Sequence, residues 1–150
     1  MERQVESNEA RPPEEAVVTA TAGGFGSPPD AVTLTFPAQP RYLRVARLVA
    51  SGLANELGFG VDRLDDVRLA VGEACSLAVQ FGATTISLAY VLDDHRLDVS
   101  IQAALDGPSD DVDVENLALV GQVLAVAGSD HRIDRQHGQL SVRVSFTDGS

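Results

Sequence analysis

A long helical segment followed directly by two alternating strands is the sequence feature that most restricts the fold. Residues 62–82 predict one helix, and Asp65 is placed to complete a capping arrangement with Asp62 at its start. Apolar and polar residues then alternate on both sides of Asp93-Asp94-His95, which predicts a hairpin. The inward-facing set is Ile86, Leu88, Tyr90, Leu92, Leu97, Val99 and Ile101. A helix beside an antiparallel hairpin indicates an α+β domain.

The remaining elements extend this pattern into two layers. Residues 32–36 predict a strand, and residues 40–57 and 113–127 predict two further helices. Residues 131–136 and 139–147 predict a second hairpin. The order βααββαββ therefore predicts a two-layer sandwich, with a mostly antiparallel sheet and the helices packed on one face.

Composition divides the chain into a tail and one folded domain. Residues 1–29 are acidic and rich in Pro and Gly, so they are predicted to be a disordered tail. Residues 30–150 are predicted to form one domain with a sizeable core, because 44% of the 150 residues are hydrophobic. No signal peptide or membrane-spanning run is evident, and the lone Cys75 cannot form an intrachain disulfide. These features predict a cytoplasmic protein without membrane attachment.

Charge and residue types exclude several classes of site. The net charge of −11 argues against direct nucleic-acid binding, which requires a basic face. All eleven basic residues are arginine, so no lysine is present to hold phosphate or form a Schiff base. His95, His131 and His137 lie in or beside predicted turns without metal-ligand spacing, so no metal site is predicted. Cys75 is interpreted as a buried small hydrophobe, with a redox sensor as the alternative.

A family resemblance runs from Phe36 to Cys75. The matching residues are Pro37-Ala38-Gln39-Pro40, Tyr42-Leu43, Arg47-Leu48, Ser51-Gly52 and Leu69-Ala70-Val71-Gly72-Glu73-Ala74-Cys75. This run resembles the anti-sigma-factor serine kinases, which belong to the histidine-kinase-like ATPase superfamily with the Bergerat fold. The resemblance implies a protein that binds a sigma factor, or an anti-anti-sigma protein of the STAS-domain class. It also implies Mg-ATP as a cofactor, phosphorylation of a serine on the anti-anti-sigma protein, and a homodimer.

The motif that carries the family's catalysis is altered in this chain. The family helix has Glu-x-x-x-Asn, in which the glutamate serves the reacting hydroxyl and the asparagine oxygen coordinates Mg²⁺. Positions i and i+4 share one face of a helix. Glu73 matches the glutamate and is the candidate catalytic residue, with an ordinary helix carboxylate as the alternative. Leu77 stands at the asparagine position, where Mg²⁺ would require an oxygen ligand.

Two glycine motifs of the family are also incomplete. The family's Asp-x-Gly-x-Gly loop, which receives the adenine, corresponds to Asp106-Gly107-Pro108, so Asp106 and Gly107 are the candidate nucleotide-binding remnants. The Gly-x-Gly pattern that holds phosphate corresponds to Asn116-Leu117-Ala118-Leu119, where side chains obstruct backbone approach. The sequence therefore predicts a degenerate ATP site and no cofactor, with Mg-ATP bound only if the site functions.

Three arginines are the candidate partner-binding residues. Arg41, Arg44 and Arg47 recur at three-residue spacing on the first predicted helix, which predicts a short basic ridge or an ordinary solvated face. Arg47 matches the family arginine that contacts both partners, and arginine suits bidentate carboxylate pairing. The leading interpretation is a regulator that binds its partner stoichiometrically. The alternatives are an active protein-serine kinase and an interaction module outside sigma regulation.

Overall fold

The computed structural model describes residues 18–22, 31–105, 114–136 and 138–148. Within these ranges six strands form one sheet, in which every neighbouring pair is antiparallel. The strands are β1 (Thr19–Ala22), β2 (Ala31–Pro37), β3 (Ala83–Asp93), β4 (Arg96–Leu105), β5 (Asp130–Gln136) and β6 (Gln139–Thr147). Their order across the sheet is β1-β2-β3-β4-β6-β5, so the α+β class predicted from the sequence is confirmed.

Three helices cover one face of the sheet. They are α1 (Leu43–Glu56), preceded by a 3₁₀ turn at Pro40–Tyr42, α2 (Val61–Gln80) and α3 (Val114–Ala127). Gly58 and Gly82 follow the ends of α1 and α2 with φ of 84° and 83°, a conformation that glycine adopts without strain. None of the helices in the described ranges has the length and apolar character needed to cross a membrane.

The strand register sorts the side chains into a buried face and a polar face. One inward row across five strands consists of Leu34, Leu88, Ile101, Val142 and Ile133. The neighbouring row on the opposite face consists of Thr35, Ser87, Gln102, Ser141 and Asp134. Because successive residues of a strand point to opposite faces, this alternation places the hydrophobic core between the sheet and the helices.

A buried hydrogen bond joins the sheet to α1. The Tyr90 hydroxyl on β3 donates to the main-chain oxygen of Ala46 at 2.9 Å, and the contact is buried. Around it, α1 and α2 present small residues to the interior, so the two helices can approach each other closely. These buried small residues are Ala46, Ala50 and Ala54 of α1 and Ala70, Ala74, Cys75 and Ala78 of α2.

Arg63 joins three separate elements at the start of α2. Its guanidinium donates to the main-chain oxygens of Thr147 at 2.7 Å and Ala127 at 2.8 Å. It also donates to Asp66 at 2.9 Å and to the Ser129 hydroxyl at 3.1 Å. Because the Ala127 oxygen belongs to the last turn of α3, the arginine also complements the negative end of that helix.

The structure corrects the sequence predictions at two places. Thr19–Ala22, inside the segment predicted to be a disordered tail, form β1 and pair with β2, so the element order gains a strand at its start. Val18 of the predicted tail is described and exposed, whereas residues 1–17 and 23–30 lie outside the described residues. The predicted cap is also wrong, because Gly60 is the N-cap of α2 and Asp65 instead pairs with Arg68.

We predict that Arg63→Ala lowers the free energy of unfolding by about 2 kcal/mol, because the main-chain oxygens of Ala127 and Thr147 lose a charged donor. Arg68→Ala is the matched control, since Arg68 also pairs with an aspartate three residues away on α2. Its side chain is 43% exposed, against 18% for Arg63. The control should cost less than about 0.5 kcal/mol. Urea denaturation measures the free energy of unfolding of both variants. If both variants lose the same free energy of unfolding, the role given to Arg63 is contradicted.

Candidate functional site

The two key positions of the family's catalytic motif lie on α2 in different environments. Glu73 is half-buried, and no salt bridge to it occurs among the described residues. Leu77, one turn later, is 0% exposed and belongs to the hydrophobic core. A leucine carries no oxygen to offer Mg²⁺, which coordinates six oxygen ligands in near-octahedral geometry. Leu77 therefore offers no metal ligand at the position where the resemblance places the magnesium-coordinating asparagine.

The start of α3 lies against the end of α2. Asn116 donates a hydrogen bond to the side-chain oxygen of Gln80, and Val120 and Leu124 of α3 are buried in the core. Residues 116–119, the run predicted to replace the phosphate-binding glycines, all lie within α3 and are helical. Asp106 and Gly107, the predicted nucleotide-binding remnants, lie outside the described residues.

The three candidate arginines do not form a single ridge. Arg41 belongs to the 3₁₀ turn, where its guanidinium lies 5.0 Å from the centre of the Tyr42 ring, and Arg44 is exposed on α1. Arg47 is half-buried and turns toward α2, where its side chain lies across Gly72. Arg47 thus lies against α2 while Arg41 and Arg44 are exposed, and the partner-binding role of the three arginines stays a prediction.

Each of the two helices that Arg47 joins also carries an exposed leucine, and sequence reasoning missed both. Leu48 follows Arg47 on α1 and is 62% exposed, while Leu69 precedes Gly72 by about one turn of α2 and is 51% exposed. We call this region, made of Arg44, Arg47 and Leu48 of α1 with Leu69 and Gly72 of α2, the Arg47 surface. The available signal was that Leu48 lies outside the buried stripe of α1.

Cys75 and Tyr90 lie together beneath this surface. Burial raises the pKa of the Cys75 thiol to about 12, and the nearby Arg47 guanidinium opposes that rise only in part. Burial also raises the pKa of the Tyr90 hydroxyl, and Cys75 adds to the effect. The thiol is therefore protonated at neutral pH and buried, as predicted for a small hydrophobe.

The histidines are spread over separate elements. His95 is exposed in the β3–β4 turn, His131 is half-buried on β5, and His137 lies outside the described residues. Across the part of the chain that the structure describes, no group of three or more His, Cys, Asp or Glu side chains is arranged to hold a metal ion.

Comparison with known proteins gives the family. The histidine kinase-like ATPase domain family matches residues 36–132, nearly two thirds of the chain. The chain belongs to this family. The match begins in β2, ends in β5 and includes the α2 motif with Glu73 and Leu77. The fold family predicted from Phe36 to Cys75 is therefore confirmed.

Several curated relatives share the name serine-protein kinase RsbW. The chain is 35% identical over 89 residues to the protein of Bacillus subtilis, covering 56% of this chain and 54% of the relative. It is 33% identical over 76 residues to that of Halalkalibacterium halodurans, covering 49% and 47%. A Bacillus licheniformis protein is 41% identical over 51 residues, covering 34% and 32%. The matched region thus spans about half the length of the first two relatives, or less in the third.

We expect Cys75 to resist iodoacetamide at pH 8 in the folded protein. A pKa of about 12 instead of 9.0 leaves about a thousandfold less thiolate, which is the reactive form. The raised pKa also makes stability depend on pH. Below pH 9.0 the thiol is protonated in the folded and the unfolded protein, and burial of the protonated thiol stabilises the fold fully. This stabilisation is lost as the pH rises from 9.0 toward 12, because the unfolded thiol ionises first. Mass spectrometry with and without urea measures labelling, and equal rates in both conditions would show that Cys75 is accessible.

Leu77→Asn tests whether an open pocket remains at the motif. Because Leu77 is fully buried, an amide there would be desolvated without a planned partner, and we expect the free energy of unfolding to fall by about 3 kcal/mol. Leu77→Met is the control, since it keeps volume and polarity and should cost less than about 1.5 kcal/mol. If urea denaturation finds Leu77→Asn as stable as Leu77→Met, water reaches this position and the core packing described for Leu77 is incorrect.

Proposed function

We propose that this protein is an anti-sigma-factor-like regulator that acts by binding, with a degenerate ATP site. Its partner is a sigma factor, an anti-anti-sigma protein of the STAS-domain class, or each in turn. Membership of the histidine kinase-like ATPase domain family and similarity to serine-protein kinases support the choice of class. The observation that carries the proposal is the burial of Leu77 where that class coordinates magnesium.

The loss of the metal ligand favours binding over catalysis. Phosphoryl transfer depends on positioning and on a metal ion that neutralises developing charge at the phosphates. In this chain a core leucine occupies the position of the metal-binding asparagine. The residues that correspond to the phosphate-binding glycines, 116–119, are all helical. No step of the proposed mechanism therefore uses ATP.

The Arg47 surface has the chemistry of a protein-binding site. Residues near the centre of protein interfaces are enriched in arginine. Solvent-exposed leucine side chains supply apolar area that becomes buried when two proteins associate. Among the described residues no salt bridge occupies the Arg47 guanidinium. A carboxylate of the partner, with apolar neighbours that meet Leu48 and Leu69, would complement this surface.

Binding of this kind regulates by occupancy. A sigma factor held at the Arg47 surface is unavailable to RNA polymerase, and an anti-anti-sigma protein that needs the same arginine would compete for it. The free fraction of sigma factor then depends on the two affinities and concentrations. A cytoplasmic location and a homodimer belong to the same proposal.

The second candidate function is an active protein-serine kinase. Two observations favour it: the relatives are named serine-protein kinases, and Glu73 is retained with part of its surface open to solvent. Such an enzyme would transfer phosphate to a serine of the partner and would require Mg-ATP. An interaction module of the same fold outside sigma regulation is the third candidate, and only the partner's identity distinguishes it from the first.

Capture from lysate of the protein's own cells tests the proposal. The tagged chain should retain a sigma factor or a STAS-domain protein equally with and without Mg-ATP. Arg47→Ala should reduce recovery about tenfold, because a charge-assisted pair is lost. Arg132→Ala is the control, since Arg132 lies on β5 on the opposite face of the sheet and is paired with Asp134.

Three results would contradict the proposal. Absence of both protein classes from the eluate would exclude sigma regulation, and unchanged capture by Arg47→Ala would exclude this surface. Phosphoserine that appears on the captured protein only when Mg-ATP is present would establish the kinase instead.

A further inference from the structure

Gly72 stands at a costly position in α2. The helix runs from Val61 to Gln80, and Gly72 is buried well inside it. A glycine inside a helix is unfavourable relative to alanine, because its backbone loses more freedom on folding. Its φ does not lie in the left-handed region, so backbone conformation does not require glycine here. The reason for the glycine must therefore be sought in what lies against it.

The side chain of Arg47 lies where a side chain at position 72 would begin. A Cβ on residue 72 would lie 3.1 Å from both Cδ and Nη1 of Arg47, and 3.6 Å from its Cγ. At Gly52 in α1 and Gly121 in α3, by contrast, an added Cβ meets nothing within 4 Å. Of these three glycines inside described helices, only Gly72 has a neighbouring side chain that an added Cβ would crowd.

We infer that Gly72 is a positioning residue that holds the Arg47 side chain in its binding geometry. This inference rests on the proposed function of the Arg47 surface. The absent Cβ leaves room for the half-buried Arg47 side chain against α2. A guanidinium already held in one arrangement loses less freedom when a partner's carboxylate pairs with it.

Partial burial adds to the effect of this arrangement. Charge interactions strengthen where water is partly excluded, and Arg47 lies close enough to the buried Cys75 to act on its thiol. Arg47 has no salt-bridge partner within the described ranges, so its charge is available to an incoming group. Specificity for an acidic side chain then depends on residue 72, although Gly72 itself offers no side chain to the partner.

The inference predicts that stability and partner binding respond differently to one substitution. Alanine is the better helix former, so Gly72→Ala should not lower the melting temperature. The same Cβ would lie 3.1 Å from Arg47 Cδ and Nη1, so the arginine side chain should shift by a few tenths of an ångström. We expect this loss of its geometry to weaken partner binding about tenfold. Gly52→Ala and Gly121→Ala are matched controls, because both place the same methyl group on a helix where it meets nothing, and both should bind like wild type.

A double-mutant cycle measures the coupling between the two residues. The probes are the sigma factors and STAS-domain proteins of the source organism, each purified and titrated against the full chain. Gly72→Ala should weaken binding about tenfold in the wild-type background and less than about twofold in the Arg47→Ala background. In the free protein, nuclear Overhauser contacts between the Gly72 Hα and Arg47 Hδ protons should be present.

The outcomes separate this inference from the proposed function. If Arg47→Ala binds every probe like wild type, the proposed function of the Arg47 surface is wrong, and the role of Gly72 in binding fails with it. If Arg47→Ala loses affinity while Gly72→Ala keeps it, only the positioning role is wrong. Absence of the Gly72–Arg47 contact in the free protein, or equal losses in both backgrounds of the cycle, would also overturn the positioning role.

Discussion

The hydrogen bond from the Tyr90 hydroxyl to the Ala46 main-chain oxygen, at 2.9 Å in the core, joins α1 to the sheet. A buried hydroxyl without a partner would cost about 1–3 kcal/mol, so this contact specifies how α1 lies over β3. Arg47 is the next residue along α1. The contact in the core therefore also holds the stretch of α1 backbone from which the candidate binding arginine extends.

Helix α2 contributes to both the core and the surface, and its residues reflect the two demands. Burying a leucine side chain stabilises a fold by about 1.5–3 kcal/mol, which is a large part of a typical domain's stability. Leu77 supplies such burial at the position where the resemblance places a magnesium-coordinating asparagine. Gly72 does the reverse, since a glycine inside a helix costs about 0.5–1 kcal/mol relative to alanine. The helix thus gains stability at position 77 and loses some at position 72.

Much of the fold could be predicted from the sequence, because its elements carry strong local signals. The alternation from Ile86 to Ile101 located β3, β4 and their turn to within a few residues. β1 was missed because Thr19–Ala22 contain no large apolar residue, and only pairing with β2 makes them a strand. The predicted cap at Asp62 was wrong for a local reason, since the helix starts at Val61 and its N-cap is Gly60, which has no side chain to form a cap.

The candidate site was less predictable, since it depends on contacts between distant residues. The motif comparison identified Glu73 and Leu77, because the spacing of four places them on one helix face. Spacing alone could not show that Arg47 turns toward α2, because the cause is the missing side chain of Gly72 on another helix. The exposure of Leu48 and Leu69 likewise follows from how α1 and α2 pack together.

Isothermal titration calorimetry, with Mg-ATP titrated into the purified full chain, tests the central claim most directly. A regulator that acts by binding alone, with a core leucine in place of the magnesium ligand, should give no heat beyond dilution. Saturable binding in the micromolar range would show that the nucleotide site functions, and the protein would then have to be considered a kinase.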